Sequence, residues 1–235
     1  MKIVKSNYKI MRGLDRNVLP FLEECGRTCY KSEEYITEGS SEKFIKGIVK
    51  SGHESVIEHA FITVRFTAPR SLTHQLVRHR LASYSQESQR YVNYSKGKFN
   101  SEITFIDPLF QINGEKVSYF DYLEIKNKPV SILTQEEFDI KNIYEIFEDS
   151  CKRSENDYFN LIQSGLKPED AREVLPNCGK TEIVMTANLR VWRHVFKERA
   201  FNPKAQYQIR KLLLSLYEEF NKVLPEIFSD LKTDK

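Results

Sequence analysis

The stretch that most constrains the fold is residues 60–67, where Ile62, Val64 and Phe66 alternate with Thr63, Arg65 and Thr67. Successive side chains of a strand point to opposite faces, so this period-two pattern predicts a half-buried strand with one apolar side. Pro69 breaks it, Ser71 caps a helix running to about Arg80, and a polar loop leads into a strand-like Arg90–Tyr94. Elsewhere the period is helical. Val18–Tyr30 predicts one helix, and a second, capped by Ser40 or Ser41, has Phe44, Ile45, Ile48 and Val49 on one face and stops near Gly52. A long amphipathic helix spans 135–164 and ends at Gly165; Pro168 opens a short one ending near Val174. Thr181–Thr186 reads as another strand, Asn188 caps a helix over 189–200, and Asn202-Pro203 opens a last long helix. Residues 93–134, with turn signals at Asp107-Pro108 and Asn113-Gly114, read as loops and short strands. Strands and helices interleave without regular βα units, so the expected class is α+β, with a mostly antiparallel sheet packed by helices.

A length of 235 residues fits one domain over 1–235. No apolar run approaches the roughly 20 residues of a membrane span, and the N-terminal residues lack the apolar stretch of a signal peptide. The expectation is a cytoplasmic protein with no membrane partner. The formal charge of +3 is too small to argue for a nucleic-acid partner. Four cysteines, Cys25, Cys29, Cys151 and Cys178, make no disulfide framework and carry no second closely spaced Cys or His set, so reduced thiols and no metal are expected.

Three clusters carry chemistry. Arg78–Tyr91 holds Arg78, His79, Arg80, Ser83, Ser85, Ser88 and Arg90, with Gln75 three residues before Arg78 on the expected helix face. Guanidinium forks and hydroxyls suit a doubly charged phosphate, although a solvated, salt-bridged helix end has the same composition. In Asn188–Arg199, helical stepping puts Arg190, His194 and Lys197 on one face. Arg199 falls beside Trp192, Val195 and Phe196, where its charge needs an internal carboxylate or a bound anion. The third cluster, His53–His59, has histidines six apart, which does not match a zinc-protease helix; His53 and Ser55, just before a strand, could line a pocket.

Together these residues resemble the flavin-dependent thymidylate synthases. The family signature is matched by Arg78-His79-Arg80, Ser83 and Ser88-Gln89-Arg90, with Ser85-Gln86 where many members carry Asn-Glu. Ser51–His59, Ala171-Arg172-Glu173-Val174-Leu175-Pro176 and Asn188–Arg199 are similar to further family segments, and about 107–140 reads as a variable insertion. The resemblance implies a methyltransferase that converts dUMP to dTMP with bound FAD, using NADPH and 5,10-methylenetetrahydrofolate as co-substrates, in a homotetramer with shared sites. It implies dUMP contacts from Gln75, Arg78, Gln86, Ser88, Arg90, Arg172 and Arg199. FAD contacts would come from Ser55, Glu58, Arg78, His79, Arg80, Asn188, Arg190 and His194. Arg199, at the uracil edge, His53, on the flavin and folate side, and Ser88 are the implied catalytic positions, with no enzyme nucleophile required.

Two other classes compete. A thymidylate synthase of the thiolate type needs an electropositive cysteine, and neither Cys151 nor Cys178 has such company nearby in sequence. A nucleic-acid module would use the arginines with Tyr84, Tyr91 and Tyr94 as stacking surfaces, against a nearly balanced charge.

Overall fold

The computed structural model describes residues 1–99 and 101–232. Strands β1 (Lys2–Val4) and β2 (Asn7–Arg12) precede helices α1 (Val18–Thr28) and α2 (Ser40–Lys50). A 3-10 helix, Glu54–His59, leads into β3 (Phe61–Pro69), α3 (Arg70–Leu76) and β4 (Ala82–Gln86). Then come β5 (Thr104–Ile106), β6 (Phe110–Ile112), β7 (Glu115–Val117) and α4 (Tyr119–Ile125). The chain continues through α5 (Gln135–Gln163), α6 (Pro168–Ala171), β8 (Lys180–Asn188), α7 (Leu189–Val195), a π-helical turn Phe196–Phe201, α8 (Tyr207–Val223) and α9 (Pro225–Phe228). The class is α+β.

Contacts divide the chain into two compact units. The first comprises Met1–Ser6, Thr67–His74 and Gln86–Glu182; the second comprises Asn7–Phe66, Gln75–Ser85 and the chain from Ile183 onward. The four-stranded sheet, ordered β2-β3-β8-β4, has most of its residues in the second unit and is mostly antiparallel. Its central pair shows the sense directly. Leu189 N donates to Ala60 O at 3.0 Å, and the Thr63 and Thr186 hydroxyls meet at 2.9 Å, so numbering falls along β8 as it rises along β3. Ile62, Val64, Phe66 and Ala68 are buried on β3, as the alternation required. Behind the sheet lies an aromatic core of Trp192, Phe196, Tyr217, Phe220 and Phe228, with the Trp192 indole N–H donating to Ile62 O at 3.1 Å. Truncating such a buried ring to Ala costs about 3–5 kcal/mol.

The first unit has its own core. Tyr119, Tyr122, Tyr144, Phe147, Cys151 and Tyr158 pack along α4 and α5. Helix α5 starts with a reciprocal cap: Glu137 N donates to Thr134 Oγ1 (3.2 Å) and Thr134 N to the Glu137 carboxylate (3.0 Å). It ends before Gly165, whose φ of 92° suits only glycine comfortably. β1 pairs in parallel with β5, and β6 with β7 as a hairpin turned by Asn113 and Gly114 at φ 50° and 93°.

Several expectations need correction. Residues 93–134 hold a regular helix, α4, because Ser118 and Asp121 cap each other across its first turn. The strand is β4, not Arg90–Tyr94: the amides of Tyr91 and Val92 donate to Ser88 O (3.3 and 3.0 Å), curling that stretch into a turn. Helix α3 starts at Arg70, one residue before Ser71, and the amides of Arg70 and Ser71 donate to Gly179 O and Asn177 O. It stops at Leu76, not Arg80, where the Tyr84 hydroxyl donates to the carbonyls of Leu76 (2.8 Å) and His79 (2.9 Å). The last long helix starts at Tyr207, because Asn202 folds 202–205 into a turn by accepting from Lys204 N and Ala205 N.

Candidate active site

In the second unit a cavity of about 1010 Å³ opens among three structural pieces. The 3-10 helix contributes Glu54 and Glu58, the turn after α3 contributes Arg78, His79, Arg80 and Leu81, and α7 with its cap contributes Asn188, Arg190, Arg193 and His194. Lys197, Asp230 and Leu231 complete the wall. The predicted shared face of Arg190, His194 and Lys197 is therefore present, and so is the cap: Asn188 Oδ1 accepts from Val191 N at 2.9 Å.

Charge in this cavity is sorted. Glu54 takes Arg193 (2.9 Å) and Arg190 (3.6 Å), Glu58 takes Arg190 (2.6 Å), and Asp230 takes Arg193 (2.7 Å). Arg193 is buried and also donates to Ile227 O. Among the described residues Arg78 and Arg80 have no such partner, and both are exposed. They flank His79, which points inward and is 8% exposed. The cavity is thus left with two uncompensated guanidinium forks, the donor geometry that matches phosphate oxygens.

His79 has a defined protonation state. Burial, with Arg199 and His194 nearby, pushes its pKa down to about 4. Arg199 Nε donates to His79 Nε2 at 3.3 Å, so Nε2 is the acceptor and the ring proton sits on Nδ1. His194 packs edge-on at 5.6 Å between ring centroids. Of the two partners foreseen for Arg199, an internal carboxylate does not pair with it among the described residues: it meets a neutral imidazole, which leaves its charge for a bound anion. The π-helical turn 196–201 sets the direction of this side chain, and helical stepping at 100° per residue did not include that turn.

Ser55 and His53 lie next door. Both line a cavity of about 370 Å³ that also includes Glu54 and Arg190, and His53 borders another of about 610 Å³ with Tyr30, whose hydroxyl is 3.1 Å from His53 Nδ1. Of the expected nucleotide residues, Gln75, Arg78 and Arg199 belong to the second unit. Gln75 lies within α3 and bonds Gln206, whereas Arg78 lies past the helix end, so the two do not share a helical face.

Gln86, Ser88, Arg90 and Arg172 belong to the first unit. Two of them meet at one residue: Arg90 Nε pairs with the Glu169 carboxylate (3.1 Å) while Arg172 Nε donates to Glu169 O (3.1 Å). Ser88 Oγ accepts from Arg90 N at 3.3 Å and contacts no histidine, so nothing among the described residues activates it as a nucleophile. Gln86 Nε2 donates to the buried hydroxyls of Thr73 (3.0 Å) and Thr181 (3.3 Å). A carboxylate at 86 would have to bury its charge there. Its neighbour Glu87 does not substitute, being tied to Lys180 (2.9 Å) and the Tyr94 hydroxyl (3.0 Å).

The structure adds Arg70 to this set. Its Nη2 donates to Glu87 O (3.0 Å), its Nε is buried without a partner among the described residues, and burial, with Arg172 nearby, lowers its pKa. A lone arginine between Pro69 and Ser71 gives no such signal in sequence.

With this geometry in view, the comparisons with known proteins agree on a class. A family model described as thymidylate synthase complementing protein matches residues 19–226, and the chain belongs to that family. It is similar to the flavin-dependent thymidylate synthase of Pyrococcus furiosus, at 34% identity over 84% of this chain and 69% of that one. The Geobacter sulfurreducens flavin-dependent thymidylate synthase is 32% identical over 87% of this chain and 78% of its own. For the Clostridium tetani flavin-dependent thymidylate synthase the figures are 35%, 82% and 71%.

Proposed function

We propose that this chain is a flavin-dependent thymidylate synthase, a methyltransferase that converts dUMP to dTMP with FAD, NADPH and 5,10-methylenetetrahydrofolate and releases tetrahydrofolate. The observation that carries the reading is the uncompensated pair Arg78 and Arg80 beside neutral His79, in a chain of this family. A cavity of about 1010 Å³ is at the upper end of the roughly 300–1,000 Å³ of ligand pockets, as a dinucleotide requires. Bound there, FAD would carry the reducing electrons from NADPH to the transferred one-carbon unit.

The chain's own residues supply binding and electrostatics. Arg78 and Arg80 would neutralise the pyrophosphate, while Arg190, fixed by Glu54 and Glu58, Asn188 and His194 would position the rings. Ser55 and His53, in the adjoining cavity, would face the flavin and folate side. Arg70, Arg90 and Arg172, with Ser88, would hold the nucleotide phosphate, and Gln86 a polar base edge. The family resemblance assigns Gln75, Arg78 and Arg199 to the same nucleotide, in a homotetramer whose sites draw on several subunits. Arg199 would stabilise negative charge developing on the uracil imide, with neutral His79 accepting from Arg199 Nε and so orienting the guanidinium. The same reading makes residues 1–235 one functional domain with a variable insertion at about 107–140, acting in the cytoplasm. Among the described residues no helix is long and apolar enough to cross a membrane.

The test is product formation. Purified protein with dUMP, NADPH, methylenetetrahydrofolate and FAD is expected to yield dTMP and tetrahydrofolate, and no dTMP when NADPH or FAD is withheld. Formation of dihydrofolate with dTMP, independent of flavin, would return the chain to the thiolate class.

A further inference from the structure

Two thiols 27 positions apart in sequence meet in the first unit. Cys151 Sγ and Cys178 Sγ are 3.8 Å apart and share a hydrogen bond. Cys151 lies on the buried side of α5, 1% exposed, and Cys178 is half-buried in the turn Pro176–Gly179. That turn is held at three points: Cys178 O accepts from Ile106 N (2.8 Å), Asn177 O from Ser71 N (3.2 Å) and Gly179 O from Arg70 N (3.2 Å). The two sulfurs are therefore kept together by the fold, independently of any bond between them.

Their environments differ usefully. The hydrogen bond they share lowers the Cys178 thiol, while the same bond, and burial, push the Cys151 thiol up. Cys151 is sealed in the core and Cys178 is half-buried, so a peroxide reaches Cys178, the attacking sulfur as its thiolate, and Cys151 is the resolving one. Among the described residues no cluster of three or more His, Cys, Asp or Glu surrounds the pair that could hold a metal ion.

We propose that Cys151 and Cys178 form a redox modification site, oxidised by a hydroperoxide to an intramolecular disulfide. The Cys178 thiolate attacks one peroxide oxygen, the O–O bond breaks, and the other oxygen leaves and is protonated to water or an alcohol. Cys151 sulfur then attacks the Cys178 sulfenic acid; the S–O bond breaks, and the hydroxyl leaves with the Cys151 proton as a second water. Two electrons pass from the thiols to the peroxide. Closing from 3.8 Å to a bond of about 2.05 Å needs a movement within reach of side-chain rotation. The bond fastens α5 to the turn between Arg172 and β8. This inference does not depend on the function proposed above.

The full-length reduced protein would be treated with hydrogen peroxide, alkylated, digested and mapped by mass spectrometry. The expected result is one joined peptide pair containing Cys151 and Cys178, released by dithiothreitol, with Cys25 and exposed Cys29 still alkylated. In Cys151→Ala, dimedone should label Cys178; in Cys178→Ser, Cys151 should stay a thiol. Oxidised protein should melt higher than reduced by on the order of 10 °C, and Cys151→Ala should show no peroxide-dependent shift. Both thiols still alkylated at a peroxide dose that oxidises Cys29 would overturn the proposal, as would Cys178 joined to any other cysteine.

Discussion

Two acidic residues, Glu148 in the first unit and Glu54 in the second, each gather cations, and the difference between them separates a structural knot from a site. Glu148 is 5% exposed and fully satisfied: Lys126 (2.8 Å), Lys152 (2.6 Å) and the hydroxyls of Tyr119 (3.3 Å) and Tyr122 (3.2 Å) surround it. Burial pushes its carboxyl up, but the hydrogen bonds from the two lysines outweigh that and hold it at about 2. Nothing there is left to bind a ligand. Glu54 also takes two cations, Arg190 and Arg193, but it does so on the wall of a cavity where Arg78 and Arg80 remain without carboxylates. Residual charge on an open wall marks the proposed binding site; charge closed on itself marks the core.

That contrast can be broken at either end. Arg78→Ala with Arg80→Ala removes both uncompensated forks, and flavin affinity should fall by about 10²–10⁴-fold, since each charged hydrogen bond contributes about 1.5–3 kcal/mol. Flavin fluorescence titration reads this, and melting temperature should stay near wild type. Glu148→Gln should do the reverse. It leaves Lys126 half-buried against neutral groups and should cost roughly 3 kcal/mol in denaturant unfolding, with flavin affinity unchanged. The folded Glu148 pKa lies below the unfolded one, so its contribution is present above about pH 4.5 and is lost as pH falls toward 2.

His79 sharpens the picture on the cavity side. Its folded pKa of about 4 lies below the unfolded 6.5, so its neutral ring carries no penalty above pH 6.5. Stability should then fall on acidification by about 2 kcal/mol at pH 5, and His79→Gln should flatten that slope. An NMR titration showing His79 protonating near pH 6.5 would contradict the assignment. The smallest effect belongs to Gln86→Ala. Losing its two threonine hydrogen bonds should cost about 1–2 kcal/mol of stability, together with a higher dUMP KM.

Much of this was legible in the residues. The alternation of Ile62, Val64 and Phe66 sufficed for β3, the face of Arg190, His194 and Lys197 sufficed for one wall of the cavity, and Gly165 closed α5 as its chemistry demands. What escaped depended on tertiary contacts. Helix α3 ends early because a tyrosine eight residues on takes its carbonyl, and Arg199 turns to His79 because the last helical turn widens to π geometry. Arg70 gains its setting from Glu87 and Arg172, and Cys151 meets Cys178 only once α5 and the turn before β8 are packed. The capping pair Ser118 and Asp121 is different: it was visible in sequence and announces α4 inside a stretch read as irregular.

The central claim is that the Arg78–Arg80 cavity holds a flavin that serves a deoxyuridylate. The visible absorption spectrum of the purified protein, with and without added dUMP, tests it most directly. A flavin spectrum that shifts on adding dUMP, and that is lost in the Arg78→Ala, Arg80→Ala protein, is the predicted result. A colourless protein that takes up no added FAD would contradict the account and return these arginines to a structural role.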